Sequence, residues 1–470
     1  MKALVHPNAY DNTARDSEEV MNRAVMQSNG RGSVRPRILL ADTNRWPLGP
    51  RLAMGFASMG AEISVVCPSP GHPAAKTSVV RRTFPYLPRQ PLASLKRAIE
   101  TVDPDIILPL CDRSVQYLHA LHLAATSNDG PDSKIALLIE RSLGAPASFQ
   151  IVSSRHQLLQ TAHSEGIRVP EMIAIDSVTE LNLWCTKTAP PWVTKADGTW
   201  GGRGVRIAKN ANEALQDWQA LSLRPSLLEL IKRLSLNRDR GWILSEWWNH
   251  ARPNILVQSY IHGRPANCAV VCWQGKLLAG IAVEVVQAQG PTEPAIVVQV
   301  VEGSEMLRAA ELLAQRLDLS GFFGLDFMIE EGTELPYLIE MNPRCAPPCP
   351  MPLGRGRDLI AALWAQLTNE PMNERKPVTN KTRITYFPRN GGGANHGADV
   401  IPPDTTYYDL PEGELQLVEE LLHPWSARSL LGQILDFVRK IATRNKTSTS
   451  YIFKKALEPV NPDTQSVLRR

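Results

Sequence analysis

Cysteine is scarce in this chain and follows no framework. The seven residues Cys67, Cys111, Cys185, Cys268, Cys272, Cys345 and Cys349 are odd in number and scattered, which argues for reduced thiols and against a disulfide-stapled secreted domain. Cys268/Cys272 and Cys345/Cys349 have a metal-like offset, but no histidine or further cysteine completes either pair as a zinc site. Long apolar runs are also lacking: nothing approaches the ~20 residues of a membrane span. The N-terminus has no apolar signal-peptide core, so a cytoplasmic location is expected. Charge of either sign is not in excess, with 51 Lys and Arg against 47 Asp and Glu, a formal net of +4, too little to imply nucleic-acid binding. No G-x-G-x-x-G follows the first strand, no Gly-Lys-Ser/Thr opens a helix, and no Ser-His-Asp or Cys-His set has recognisable spacing. A dinucleotide fingerprint, a P-loop and a side-chain nucleophile are thereby set aside.

What is present is globular. The 470 residues, 43% hydrophobic and 21% charged, suffice for two or three domains with substantial cores. Residues 1–35 are polar and unpatterned and read as a disordered tail. From Pro36 the texture changes: strand patterns at 37–42, 62–67 and 105–110 alternate with helical patterns at 48–59 and 92–102. This implies a parallel α/β unit, which binds ligands at the carboxyl ends of its strands. Asp42, Asp112 and Arg113 lie at such ends.

The most informative stretch runs from Gly324 to Arg344. Apolar runs at 322–329 and 335–339 flank a polar Gly332-Thr333 turn, which reads as a β-hairpin. Folding about Thr333 sets Asp326 opposite Glu340 to within one residue of register, and alternation puts Asn342 on the face of Glu340. Like charges opposed across strands are destabilising unless a cation sits between them. Three oxygen donors suit Mg²⁺, which takes one or two carboxylates and shares its other positions with phosphate oxygens. Arg344 adds a planar fork for a phosphate or oxyanion. A polar-faced surface hairpin is the alternative, and Asn342 with Arg344 weighs against it.

Upstream, a strand at 192–196 carries Lys195 into a loop with four glycines, Gly198, Gly201, Gly202 and Gly204, followed by a returning strand at 205–208. Such a loop can turn backbone N–H groups inward as an anion nest, with Lys195 and Arg203 as neighbouring charges. Alone it reads as a flexible turn; Lys195 and the downstream carboxylates favour a phosphate loop. Residues 213–253 hold helix-period leucines and Trp242, Trp247 and Trp248, which could cover the cleft, form a subunit contact or simply pack as a helical excursion. Strand-like runs follow at 255–263, 269–272, 277–286 and 295–301, then a helix at 306–317.

Lys195 with its glycine hairpin, Gln258-Ser259-Tyr260-Ile261, Asp326 and Glu340-Met341-Asn342-Pro343-Arg344, in this order, resemble the ATP-grasp superfamily. The likeness is strongest to ligases related to biotin carboxylase and the carbamoyl-phosphate synthetase large chain, and runs over about residues 36–385. It implies an N-terminal parallel α/β pre-ATP-grasp domain (36–150), then a two-lobed ATP-grasp fold of mixed α/β and α+β class (151–385). The lid lobe would span about 171–257 and the metal-binding lobe about 258–385, with residues 386–470 as a C-terminal extension.

The resemblance further implies that Lys195 contacts the ATP phosphates while the loop with Gly201, Gly202 and Gly204 closes over them. Gln258, Tyr260 and Ile261 would hold adenine, and Asp326, Glu340 and Asn342 would ligate Mg²⁺ or Mn²⁺. One position departs: where the family often has a first nucleotide-contacting lysine, this chain has Arg155, which keeps the charge but not the geometry. The implied reaction activates a carboxylate, or bicarbonate, as an acyl phosphate that an amine or other nucleophile then displaces. Lys195 and Arg344 would be the catalytic residues, stabilising developing charge. Two alternatives stand beside this ligase: ATP-dependent phosphorylation and condensation on an enol or bicarbonate, as in carbamoyl-phosphate synthetase, and a non-catalytic ATP-binding regulatory protein. The intact Asp326, Glu340, Asn342 and Arg344 argue against the last.

Prolines make residues 345–358 a loop rather than a helix or central strand. Its Arg355 and Arg357 suggest a clamp for a substrate carboxylate, with Arg113 approaching from the N-terminal unit; alternatively they cap the next helix or pair with Asp358. The expected partners are a small-molecule carboxylate and an amine, with no nucleic acid and no integral membrane segment; a homodimer is compatible. Residues 389–396 read as a flexible joint. Residues 429–442 read as a helix with basic flanks, packed on the core or touching an anionic surface.

Overall fold

Strands β1 (Arg37–Ala41), β2 (Glu62–Cys67), β3 (Val80–Pro85) and β4 (Ile106–Pro109) form an all-parallel sheet in the order β3-β2-β1-β4. The computed structural model describes residues 35–127, 133–197, 204–223, 226–236, 243–244, 247, 253–290, 293–388 and 405–425. The tail at 1–34, Gly198, Gly201, Gly202, Arg203, Trp242, Trp248, the joint at 389–396 and the helix at 429–442 lie outside them. The runs of β1, β2 and β4 are apolar throughout because both faces are covered. Ile38 and Leu40 pack with Leu52 and Phe56 of helix Leu48–Ser58, while Leu39 and Ala41 pack with Leu95, Ile99 and Leu118 on the other side. β3 reads Val-Arg-Arg-Thr-Phe-Pro and is mostly exposed at the sheet edge, so it lacks the buried-strand pattern. β1 is flanked by β2 on one side and β4 on the other, and the chain reverses direction there, which makes the carboxyl end of β1 and β4 the crevice of this sheet.

A second sheet, antiparallel, has the order β5-β8-β6-β7, from β5 (Met172–Ala174), β6 (Trp192–Ala196), β7 (Val205–Ala208) and β8 (Ile255–Ser259). Its small outer core is built on Trp184, Trp192 and Trp218. The third sheet has seven strands: β9 (Gly263–Trp273), β10 (Lys276–Ala288), β11 (Ala295–Val301), β12 (Gly321–Glu330), β13 (Pro336–Asn342), β14 (Arg383–Tyr386) and β15 (Thr406–Asp409), in the order β13-β12-β9-β10-β11-β14-β15. Residues 405–425, placed by sequence in a C-terminal extension, thus complete this sheet: β15 pairs with β14 in parallel. They also strap the N-terminal unit, through Glu414 with Thr77 and Ser78 and through Asp409 with Arg51.

One core joins the parallel sheet to the large one. Ile38, Leu52 and Phe56 lie in the same buried cluster as Ala269, Val271, Ile281 and Phe322, and the Phe56 and Phe322 rings meet edge to face at 6.2 Å. The opposite face of the large sheet, with Phe323, Leu325 and Phe327, is covered by the helices Ser304–Leu317 and Arg155–Ser164. The N-terminal unit is therefore packed against β9, β10 and β12 of the large sheet. All seven cysteines are free thiols. Among the described residues no helix is long and apolar enough to cross a membrane.

Candidate active site

The hairpin β12–β13 pairs Asp326 with Glu340 and Gly324 with Asn342. Gly332, at φ +89°, turns the connection; with no Cβ it takes this left-handed conformation without strain. Between Asp326 and Phe327 the register slips, Phe327 facing Leu338, so Ile339 is the extra residue of a bulge. A bulge leaves a backbone group unpaired and re-aims its neighbours. Here the Ile339 carbonyl accepts the Lys195 ammonium at 3.0 Å.

Lys195 reaches it because of its place in the lid sheet. Val193 pairs with Gln258 and Lys195 with Leu256, and paired residues share a face. Trp192, Ile255 and Val257 fill the outer core, which leaves Lys195 and Gln258 on the face turned to the large sheet. Burial lowers the Lys195 ammonium to about 8, against the pull of Glu340. Gln258 is buried and its Oε1 has no hydrogen-bond partner among the described residues. Beyond β8, the Tyr260 N–H donates to the Pro191 carbonyl at 3.2 Å and its ring meets His262 at 4.8 Å; Ile261 is half-buried. Of the glycine loop only Gly204 is described, and its carbonyl accepts from Ala196 N–H.

Arg155 opens a helix whose cap, Ser154, accepts from the Gln157 N–H. A cation in a first helical turn opposes the helix dipole, so acidic partners must hold it there. Its Nη2 donates to Glu340 Oε1 at 2.6 Å, its Nη1 donates to the Ala196 carbonyl at 3.0 Å, and Asp197 lies 3.7 Å away. Burial pushes the Glu340 carboxyl up, but Arg155 and Lys195 outweigh it and hold the group below its ordinary value. Asp326 goes the other way: burial, then the facing Glu340, raises it to about 6. Its Oδ1 accepts from Asn267 Nδ2 at 2.6 Å and its Oδ2 from Asn342 Nδ2 at 2.9 Å.

Arg344 links this cluster to the N-terminal unit. Its Nε donates to Asp112 Oδ2 at 3.0 Å and its Nη2 to Asn342 Oδ1 at 3.2 Å. Asp112 stands at the start of helix Asp112–Thr126, just after β4, where a negative charge suits the dipole. Arg113 is the next residue and so lies beside this contact. Arg355 and Arg357 are not brought to it. The Gly356 carbonyl between them accepts from Gly280 of β10, which pairs with Val270, about 10 Å along the strand from Asn267. Arg355 is exposed, and Arg357 pairs with Glu302 at 3.0 Å. Asp358 instead caps helix Leu359–Thr368 and pairs with Arg375.

Three residues of this arrangement had no signal in the sequence: Asn267, Asp197 and, as the partner of Arg344, Asp112. Asn267 sits on β9 between Ala266 and Cys268, and only the register with Asp326 places it in the site.

The donor set can be tested against a divalent cation. Two carboxylates face each other from paired strands, and among the described residues Asn267 Oδ1 is buried beside them with no partner and no sulfur or imidazole contributes. Among the described residues no group of three or more His, Cys, Asp or Glu is close enough to hold a metal alone. Such a set fits a hard ion that completes its shell with water and phosphate, as Mg²⁺ does.

Comparison with known proteins bears on the fold. Residues 241–348 match the ATP-grasp domain family. Among solved structures, the ADP complex of an N5-carboxyaminoimidazole ribonucleotide synthetase is similar over 73% of this chain and 80% of its own, at 14% identity and a TM-score of 0.52. The biotin carboxylase domain of Hydrogenobacter thermophilus 2-oxoglutarate carboxylase, with MgADP, ADP and bicarbonate, is similar over 72% and 71%, at 15% identity and 0.50. The Aspergillus clavatus carboxyaminoimidazole ribonucleotide synthase bound to ATP gives 73% and 80%, at 14% and 0.50. No curated protein matches the chain by sequence. The fold is that of a two-lobed grasp behind a parallel α/β unit. The family match is confined to residues 241–348, and the likeness to these solved structures is one of fold.

Proposed function

We propose that this protein is an ATP- and Mg²⁺-dependent ligase that activates a carboxylate as an acyl phosphate and joins it to an amine, forming a C–N bond, or to another nucleophile. The observation that carries the reading is convergence. Lys195, Arg155, Asp326 and Glu340 come from four separate elements, and with Asn342 and Arg344 they meet around the end of β13 through hydrogen bonds to its side chains and backbone. A structural ion-pair network needs no such sharing of a buried ammonium, two guanidinium groups and two opposed carboxylates.

In this reading Lys195 and the loop at 198–204 bind the phosphates, and Gln258, Tyr260 and Ile261 hold adenine. Gln258 has a buried acceptor to offer an amino group. Asp326, Glu340 and Asn342 would hold Mg²⁺ or Mn²⁺, which neutralises phosphate charge when bound. A carboxylate oxygen of the substrate attacks the γ-phosphorus and ADP leaves. The amine then attacks the acyl carbon, loses a proton to solvent or a base, and phosphate leaves with the transferred oxygen. Arg344, which donates to Asp112 and Asn342, would stabilise charge on the transferred group. Arg155 is engaged by Glu340 and Asp197, so its role is to orient Glu340, with any nucleotide contact secondary.

The test is a screen of small acids against amines with ATP and Mg²⁺, read as phosphate release, followed by ¹⁸O tracing from the labelled carboxylate. Label in the released phosphate supports acyl phosphate formation. Acid-dependent ATP hydrolysis without label transfer would overturn it, and failure to bind MgADP at all would remove the nucleotide reading.

A further inference from the structure

The large sheet carries a row of polar side chains that the hairpin alone does not reveal. Glu340 on β13 pairs with Asp326 on β12, and Asp326 pairs in turn with Asn267 on β9. Residues in register on adjacent strands put their side chains on one face. Asparagine is depleted in strand interiors, yet Asn267 interrupts an otherwise apolar run, Ala266-Asn267-Cys268-Ala269-Val270-Val271. Its Nδ2 makes a 2.6 Å bond to Asp326 Oδ1. Its Oδ1 is buried and has no hydrogen-bond partner among the described residues. The amide cannot be reversed, because that would set Oδ1 against the Asp326 carboxylate.

A peg that served only to donate to Asp326 would leave its oxygen in solvent or paired; a buried orphan acceptor costs free energy. Beside it the sheet is hollowed. Gly324 stands between Asn267 and Asn342, and a Cβ there would come within 3.8 Å of Asn267 Nδ2 and of Asn342 Cβ, and within 3.0 Å of Ala346 Cβ. A Cβ there would thus reach ordinary contact with the two asparagines, on the Nδ2 side of Asn267, so glycine leaves about a methyl group's space between them, and the tight contact would be with Ala346. Only a donor or a cation can satisfy an acceptor so placed.

We propose that Asn267 is a fourth side chain of the divalent-metal site: Nδ2 fixes Asp326, and Oδ1 is the acceptor that the hydrated cation satisfies. The inference rests on the reading of Asp326 and Glu340 as metal ligands and adds a residue from β9 to them. It makes the site span three adjacent strands rather than one hairpin, so metal affinity depends on the β9–β12 register.

The experiment is titration of the full-length protein with Mn²⁺ in the presence of ADP, followed by electron paramagnetic resonance of free Mn²⁺, for the wild type, Asn267→Ala, Asn267→Asp and Asp326→Asn. Asn267→Ala should weaken Mn²⁺ by roughly 10–100-fold, the usual cost of losing a group that orients metal ligands. Asn267→Asp keeps an acceptor but cannot donate to Asp326. It should retain Mn²⁺, and Mn²⁺ with ADP should raise its melting temperature by more than that of the wild type. This second variant decides the matter if Asn267→Ala fails to fold. Loss of Mn²⁺ by Asn267→Asp, or wild-type affinity in Asn267→Ala while Asp326→Asn has lost it, would show that Asn267 only braces the sheet. Unchanged Mn²⁺ affinity in Asp326→Asn would instead overturn the metal assignment itself.

Discussion

Replacing Asp326 with asparagine should stabilise the metal-free protein while abolishing its response to MgADP. Burial and the facing Glu340 raise Asp326 to about 6, whereas an aspartate in an unfolded chain titrates near ~3.9. The folded state therefore binds this proton more tightly than the unfolded state does. The ionised group begins to destabilise the fold as pH rises past about 4, and its cost levels off above about 6. A displacement of about two pKa units corresponds to roughly 3 kcal/mol. Against this, an asparagine at 326 cannot accept from both Asn267 and Asn342, and one lost hydrogen bond costs about 1 kcal/mol. The net expectation is a gain of ~1–2 kcal/mol at neutral pH that fades toward pH ~4. Urea denaturation of both proteins, without metal, at several pH values would measure it. A variant that is less stable at neutral pH, or a difference that does not change with pH, would refute the reasoning. Stability gained where function is lost is the pattern expected of a strained functional site.

Other consequences follow from the same contacts. Lys195→Ala should weaken ATP by about 10- to 100-fold, the range of a charge-assisted hydrogen bond, read by calorimetric titration; unchanged affinity would remove Lys195 from the phosphate site. Asp112→Asn should lower kcat by about 10-fold or more with little change in the KM for ATP, because it loosens Arg344 from the N-terminal side, and Asp112→Glu should restore part of it. Affinity for MgADP should fall below pH about 6, where Asp326 holds a proton that metal must displace, and again above about 8, where Lys195 loses its charge; a flat profile from about 5 to 9 would contradict both shifts. Arg113→Ala should raise the KM for the acid more than Arg357→Ala does, since Arg357 is paired with Glu302; the reverse order would return the acid to the loop at 345–358.

The sequence by itself determined those features whose cause is local. The hairpin and its Asp326–Glu340 pairing follow from two-residue alternation and a glycine turn. The parallel unit follows from apolar runs covered on both faces. The exposed edge strand β3 was not legible, because its Arg81 and Arg82 face solvent and its pairing to β2 is made through backbone groups that leave no mark on composition. Nor was the union of residues 405–425 with the large sheet, a parallel pairing at a strand edge. Only the tertiary structure decided that the Ile339 carbonyl is freed for Lys195, that Asn267 stands beside Asp326 and that Asp112 grips Arg344. The last two contacts join residues 59 and 232 positions apart. Periodicity and turn chemistry act over a few residues, but which side chains share a face across strands depends on register between distant segments, and that register is settled by packing the common core.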